Sequence, residues 1–115
     1  MIEINKWLTG RKLMSMSNKP KLSFVVYDEY NLIAAMFVRQ VEGNIGLIDG
    51  MVTNPEEPGF IRNTALNTLV THTLKQCKRY DLNVILGWTL DEHTAKRAEK
   101  HGFKLLAGKN IIKEL

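Results

Sequence analysis

The stretch VTNPEEPGFIRNTALNTLV, residues 52–70, decides how this chain folds. Val52 and Thr53 end an apolar run that suits a strand. Two prolines, two glutamates and a glycine then break it. From Ala65 onward the apolar residues Leu66, Leu69, Val70, Leu74 and Cys77 recur three and four apart, the period of a helix with one buried face. A strand, an irregular loop and a helix in this order put helix amides without intrahelical partners beside the end of a strand. Such a junction accommodates an anion.

Working outward, the third strand is IGLIDGMVT, residues 45–53, and Gly46 and Gly50 mark a bulge or a close approach of backbone. Before it, KLSFVVYD and LIAAMFVRQV are rich in β-branched and aromatic residues and flank the turn at 28–31, which predicts a hairpin over residues 22–41. After the long helix, NVILGW reads as a short buried strand. The crossover helix between it and the third strand lets the two lie parallel. TLDEHTAKRAEKHGF carries helix boundary signals: Thr89 with Glu92 as a capping box, basic residues at the end, and Gly102 as the residue beyond it. KLLAGKNIIKEL predicts a last strand or strand pair turning at 107–110. At the other end, Ile4, Trp7 and Leu8 fit a short helix or hooked arm. The expected architecture is a single mixed α+β domain over 1–115, with an arm at 1–21 and a core at 22–115. Its order is β-β-β-α-β-α-β after the N-terminal helix.

Composition bounds the chemistry. The chain has 115 residues and a net charge of +4, with nine basic and five acidic side chains after residue 70. A nucleic acid or a phosphorylated cofactor is compatible with that excess, and so is a solvated basic surface. No apolar run reaches membrane-span length, and the single cysteine, Cys77, precludes an internal disulfide. These features fit a cytoplasmic protein. Cys77 lies on the apolar stripe and reads as a packed thiol. His72, His93 and His101 lack zinc spacing. Asp49 is the one ionisable residue of the third strand. It is either a solvent-facing residue of an alternating strand or a carboxylate available as a base.

With these elements in place, the chain resembles the GNAT superfamily of acyl-CoA N-acyltransferases over residues 22–106, most closely from Leu47 to Phe103. It resembles in particular the small divergent members that phages often encode, for which a host cytoplasm or a virion is the expected setting. The resemblance implies acetyl-CoA or another acyl-CoA as co-substrate and an amine, free or on a protein, as acceptor. The family's Arg/Gln-x-x-Gly-x-Gly/Ala signature falls on Arg62, Ala65 and Asn67, which keeps the cation and replaces both glycines. The resemblance therefore implies pyrophosphate contacts from Arg62, Asn63, Thr64, Ala65, Leu66 and Asn67. It also implies oxyanion donors among the amides of Met51, Val52 and Thr53, and Asp49 as general base. The tyrosine that the family often uses as general acid falls on Ala98, and its asparagine on Glu92. A protein-interaction scaffold without catalysis is the alternative implied by those replacements. Trp7, Leu8 and the sheet edge near them predict a homodimer.

Overall fold

The computed structural model describes residues 22–28, 31–41, 43–109 and 111–115, apart from the side chain of Asp28. The arm expected at 1–21, with Trp7 and Leu8, lies outside the described residues. Strand β1 (Leu22–Asp28), β2 (Asn31–Gln40) and β3 (Ile45–Thr53) form an antiparallel meander. Helix α1 (Gly59–Arg79) crosses one face of the sheet, and β4 (Val84–Leu86) then pairs with β3 in parallel. Helix α2 (Glu92–Lys100) follows, and the strand order is β1-β2-β3-β4.

The period-two and period-3.6 patterns meet in the core. Ala34 and Met36 of β2 pack with Ala65, Leu69 and Val70 of α1. Val38 packs with Cys77 and with Leu82, just beyond the helix. On the other face Ala35, Phe37 and Val52 form a second buried cluster. Burial pushes the Cys77 thiol above its ordinary pKa, as expected for a packed residue rather than a nucleophile.

Both helices end in the same way. Gly102, with φ of +90°, stands beyond α2, and the amides of Gly102 and Phe103 return to the carbonyls of Glu99 and Ala98. After α1 the equivalent left-handed position is Asp81, with φ of +62°. The amides of Asp81 and Leu82 return to Lys78 and Cys77, and Leu82 is buried against the core.

Three expectations are corrected. The capping residue of α2 is Asp91 rather than Thr89: its carboxylate accepts from the Thr94 amide and from Thr94 Oγ1, while Thr89 Oγ1 accepts from the Asp91 amide. Those bonds hold the Asp91 pKa below the usual carboxylate value, with the Thr94 side chain as the largest cause. The strand after the crossover is only three residues long, and Trp88 stands exposed beyond it. No strand follows α2 among the described residues, so the last strand or strand pair is absent. Leu105, Leu106, Ile111 and Ile112 have strand-like composition but no cross-strand neighbours, and those pairs are what stabilise a strand.

Candidate functional site

Strand β3 carries the feature that organises the site. Phe37 faces Gly50, but Val38 faces Ile48, so Asp49 is an extra residue on β3. This is a β-bulge, and it bends and twists the strand that contains it. The parallel ladder to β4 covers only Ile45, Gly46 and Leu47, opposite Val84, Ile85 and Leu86. At the bulge the ladder ends, and residues 48–52 are not paired with β4 in it.

The alternation of the ladder determines which backbone groups face the gap. The Asn54 amide bonds to the Ile33 carbonyl at 2.7 Å, so Val52, two residues earlier, also turns its amide toward β2. Met51 and Thr53 turn theirs the other way, toward the side that β4 leaves open. Of the three amides expected as donors, those of Met51 and Thr53 are thus oriented to the gap and that of Val52 is not.

The Asp49 carboxylate pairs with Arg39 Nε at 2.7 Å. Arg39 lies two residues beyond Phe37, so the pair is on the sheet face opposite α1. Both side chains are partly exposed, and such a pair is worth about 0–1 kcal/mol. Asp49 is therefore held at the bulge by its neighbour while remaining open to solvent.

The junction between β3 and α1 differs from the sequence expectation. Helix α1 begins at Gly59, with Pro58 as its cap, nearly one turn before Arg62. Proline fixes φ near −65°, and a helix can start directly after it. The amides of residues 63–66 consequently lie inside the helix, where each faces a carbonyl four residues back. They are not free donors. Ile61 and Arg62 both donate to the Pro58 carbonyl at 3.1 Å, which leaves the amides of Gly59 and Phe60 without intrahelical acceptors. Arg62 folds back over this first turn: a Cβ placed on Gly59 would stand 3.9 Å from its Nη2. Its Nε is buried and has no hydrogen-bond partner, and Arg62 forms no ion pair among the described residues. Glu56 and Glu57 precede the same turn and place negative charge near it.

Residues 63–67 are engaged elsewhere. Arg97 of α2 donates through Nη2 to Asn63 Oδ1, and through Nε to Asn67 Oδ1 at 3.3 Å; His101 Nε2 lies 3.2 Å from the same Asn67 oxygen. Thr64 Oγ1 donates to the Phe60 carbonyl, and Ala65 is buried in the core. Where the family signature has a second glycine, this chain has an amide side chain that ties α1 to α2. Sequence reading placed Arg97 and His101 only at a helix end; the bonds span 30 and 34 residues, and no local pattern announces them.

Comparison with solved structures places the architecture. A probable acetyltransferase matches with a TM-score of 0.76 at 12 % identity, over 99 % of this chain and 88 % of that one. The fold is that of the GNAT acyltransferases. The aminoglycoside N-acetyltransferase AAC(6')-Iy, solved in complex with CoA, matches with a TM-score of 0.63 at 13 % identity, over 81 % of this chain and 75 % of that one. AAC(6')-IG, an aminoglycoside 6'-N-acetyltransferase from Acinetobacter haemolyticus, matches with a TM-score of 0.62 at 15 % identity, over 99 % and 93 %. No protein-family model matches the chain, and no curated protein matches it by sequence. These likenesses concern the fold alone.

Proposed function

We propose that this chain is an acyl-CoA-dependent N-acyltransferase, with acetyl-CoA as the co-substrate and a primary amine as the acceptor. The observation that carries this reading is the parting of β3 from β4 at the Asp49 bulge. The parting would admit an extended thioester arm beside β3, and the alternation of the ladder turns the Met51 amide to that side. The Gly59 and Phe60 amides with the Arg62 guanidinium would receive the pyrophosphate. Partial positive charge at a helix start and a cation without a carboxylate partner both favour that ligand.

The reaction that fits is direct transfer. The neutral amine attacks the thioester carbonyl, the N–C bond forms, and charge on the carbonyl oxygen is met by the Met51 amide. The C–S bond then breaks, and CoA leaves as a thiolate that takes a proton from solvent. Asp49 would accept the proton that the amine loses, from the sheet face opposite α1, once the acceptor's positive charge competes with Arg39 for the carboxylate.

A second reading is a GNAT-fold interaction scaffold without chemistry. The Arg39–Asp49 pair favours it, as does Ala98 at the position of the family's tyrosine. Calorimetric titration of CoA and acetyl-CoA, followed by thiol release against a panel of amines, separates the two. Arg62→Ala should weaken CoA binding about ten- to a hundred-fold, the equivalent of one lost charge-assisted contact of about 1.5–3 kcal/mol. No heat from the wild-type protein at millimolar CoA would overturn the enzyme reading. Binding without turnover on any amine would favour the scaffold.

A further inference from the structure

Beside the first turns of α1, the helix and the sheet border a hollow of about 350 Å³. That volume reaches the range of small-ligand sites, about 300–1,000 Å³. Val26 and Tyr27 of β1, Ile33 of β2, and Phe60, Thr64 and Thr68 of α1 line it. The three helix residues recur at every fourth position, so the hollow follows α1 for about 12 Å at 1.5 Å per residue. Two of the lining rings stand largely in water: Tyr27 is 62 % exposed and Phe60 74 %. Neither stacks on another ring among the described residues. An aromatic face left in water gains from a flat partner laid against it. Thr64 Oγ1 donates to the Phe60 carbonyl and keeps its acceptor lone pairs, while Thr68 Oγ1 makes no hydrogen bond among the described residues. Ring faces with an acceptor and an unused hydroxyl beside them suit a flat heteroaromatic ring with polar edges.

We propose that this hollow receives the adenine of the acyl-CoA, an assignment that rests on the co-substrate proposed above. Phe60 contributes an amide to the helix start and its ring to the hollow, so the pyrophosphate site and the hollow share a residue. In CoA the adenine is one ribose away from the pyrophosphate, and the pantetheine arm leaves from the other side. The strand order is β1-β2-β3-β4, with α1 packed on β2. The hollow at β1 and the gap beside β3 therefore lie on opposite sides of β2 and of the helix above it. A pyrophosphate held at the helix start sends one arm to each. The exocyclic amine of adenine can donate to Thr64 Oγ1, and a ring nitrogen can accept from Thr68 Oγ1. No charged side chain lines the hollow, which suits a neutral base and not a further phosphate.

Calorimetric titration of the full chain with CoA and with 4′-phosphopantetheine, which lacks the adenosine part, tests the assignment. Tyr27→Ala should weaken CoA binding roughly five- to a hundredfold, the range for a base stacked on an aromatic side chain. Thr68→Val should weaken it about two- to tenfold, as expected for one neutral hydrogen bond. Both variants should bind 4′-phosphopantetheine as the wild type does. In the wild-type complex with CoA, nuclear Overhauser effects should connect adenine protons with ring protons of Tyr27 or Phe60. Adenine contacts to neither ring overturn the assignment, and so do variants that lose CoA and 4′-phosphopantetheine alike. A wild-type protein that binds neither ligand overturns the co-substrate reading and this assignment with it. Binding of CoA that Tyr27→Ala leaves unchanged overturns the assignment of the hollow alone. The Overhauser arm needs no variant, so it decides even where a variant fails to fold.

Discussion

Gly46→Ala isolates the contact that holds β3 and β4 together beside the site. A Cβ at this position would stand 2.9 Å from Ile85 Cδ1, 2.9 Å from Val38 Cγ1 and 3.0 Å from Leu82 Cδ1. Carbon atoms rest at about 3.5–4.0 Å, so each methyl has to retreat by roughly half an ångström or more. Val38 and Leu82 are buried and have little room to do so. Overpacking of this kind costs about 1–3 kcal/mol. Against it stands a gain of roughly 0.5–1 kcal/mol from removing a glycine's freedom within a strand. The expected net loss is about 0–2.5 kcal/mol, centred near 1 kcal/mol. With a urea slope of about 2 kcal/mol per M, the midpoint should fall by up to about 1.2 M, centred near 0.5 M. Ile85→Val deletes the Cδ1 atom in the way, so Gly46→Ala should cost less in that background. A coupling of at least 0.5 kcal/mol is the expected size for side chains in contact. A Gly46→Ala protein more stable than wild type, or one with no coupling to Ile85→Val, would refute the close approach.

Cys77→Ser puts a hydroxyl on the buried stripe and should cost about 1–3 kcal/mol by thermal melting, with CoA affinity per folded molecule unchanged. Burial raises the Cys77 pKa in the folded state, so the thiol ionises more readily when unfolded. Its contribution is therefore complete below the ordinary thiol pKa of about 8.5 and is lost as pH climbs toward the folded value; Cys77→Ala should flatten that alkaline decline. Asp81→Gly should raise stability by about 0.5–1 kcal/mol, because the left-handed backbone costs a residue with a Cβ about 1–2 kcal/mol and glycine returns part of that as lost freedom. Asp91→Ala should cost about 0.5–2 kcal/mol at neutral pH. The Asp91 pKa is lowered in the folded state, so its contribution is present above about pH 3.9 and fades as pH falls through the folded value; urea midpoints of the two proteins should converge in acid.

Local patterns were legible where local physics decides the outcome. The hairpin, the third strand and the stripe on α1 all follow from side-chain period, and burial of Leu69, Val70, Thr73 and Cys77 follows with them. The left-handed residue after α2 was legible because it is glycine; its counterpart Asp81 was not, because aspartate does not announce that backbone. The start of α1 was misplaced although the signal was present. Pro58 followed by Gly59 is a plausible helix start, and assigning the anion contacts to residues 62–67 overlooked it. Arg97 and His101 lay beyond reach, since their partners Asn63 and Asn67 come from another helix. The apolar segment after Phe103 has strand composition, but composition supplies no partner, and three residues of β4 did not hold it within the chain.

On the proposed reading, the third strand, more than the loop after it, determines where chemistry would occur. Two of its residues act in opposite directions. Gly46 lacks a side chain, so β4 can approach until Ile85 and Leu82 crowd the backbone. Asp49, only three residues on, adds a residue that β2 cannot match, and the resulting twist carries β3 away from β4. Contact at Gly46 and divergence at Asp49 confine the opening of the gap to the step between Leu47 and Met51. The free amides of Gly59 and Phe60 start the helix that follows this strand, and Asp49 is on the sheet face opposite that helix. On the proposed reading, a ligand with an anionic end and an acyl end would be held at the helix start while its acyl end reached the bulge. An amine coming from the opposite face would meet it there. Ala65 and Asn67, at the two glycine positions of the family signature, contribute neither to the bulge nor to the close approach at Gly46.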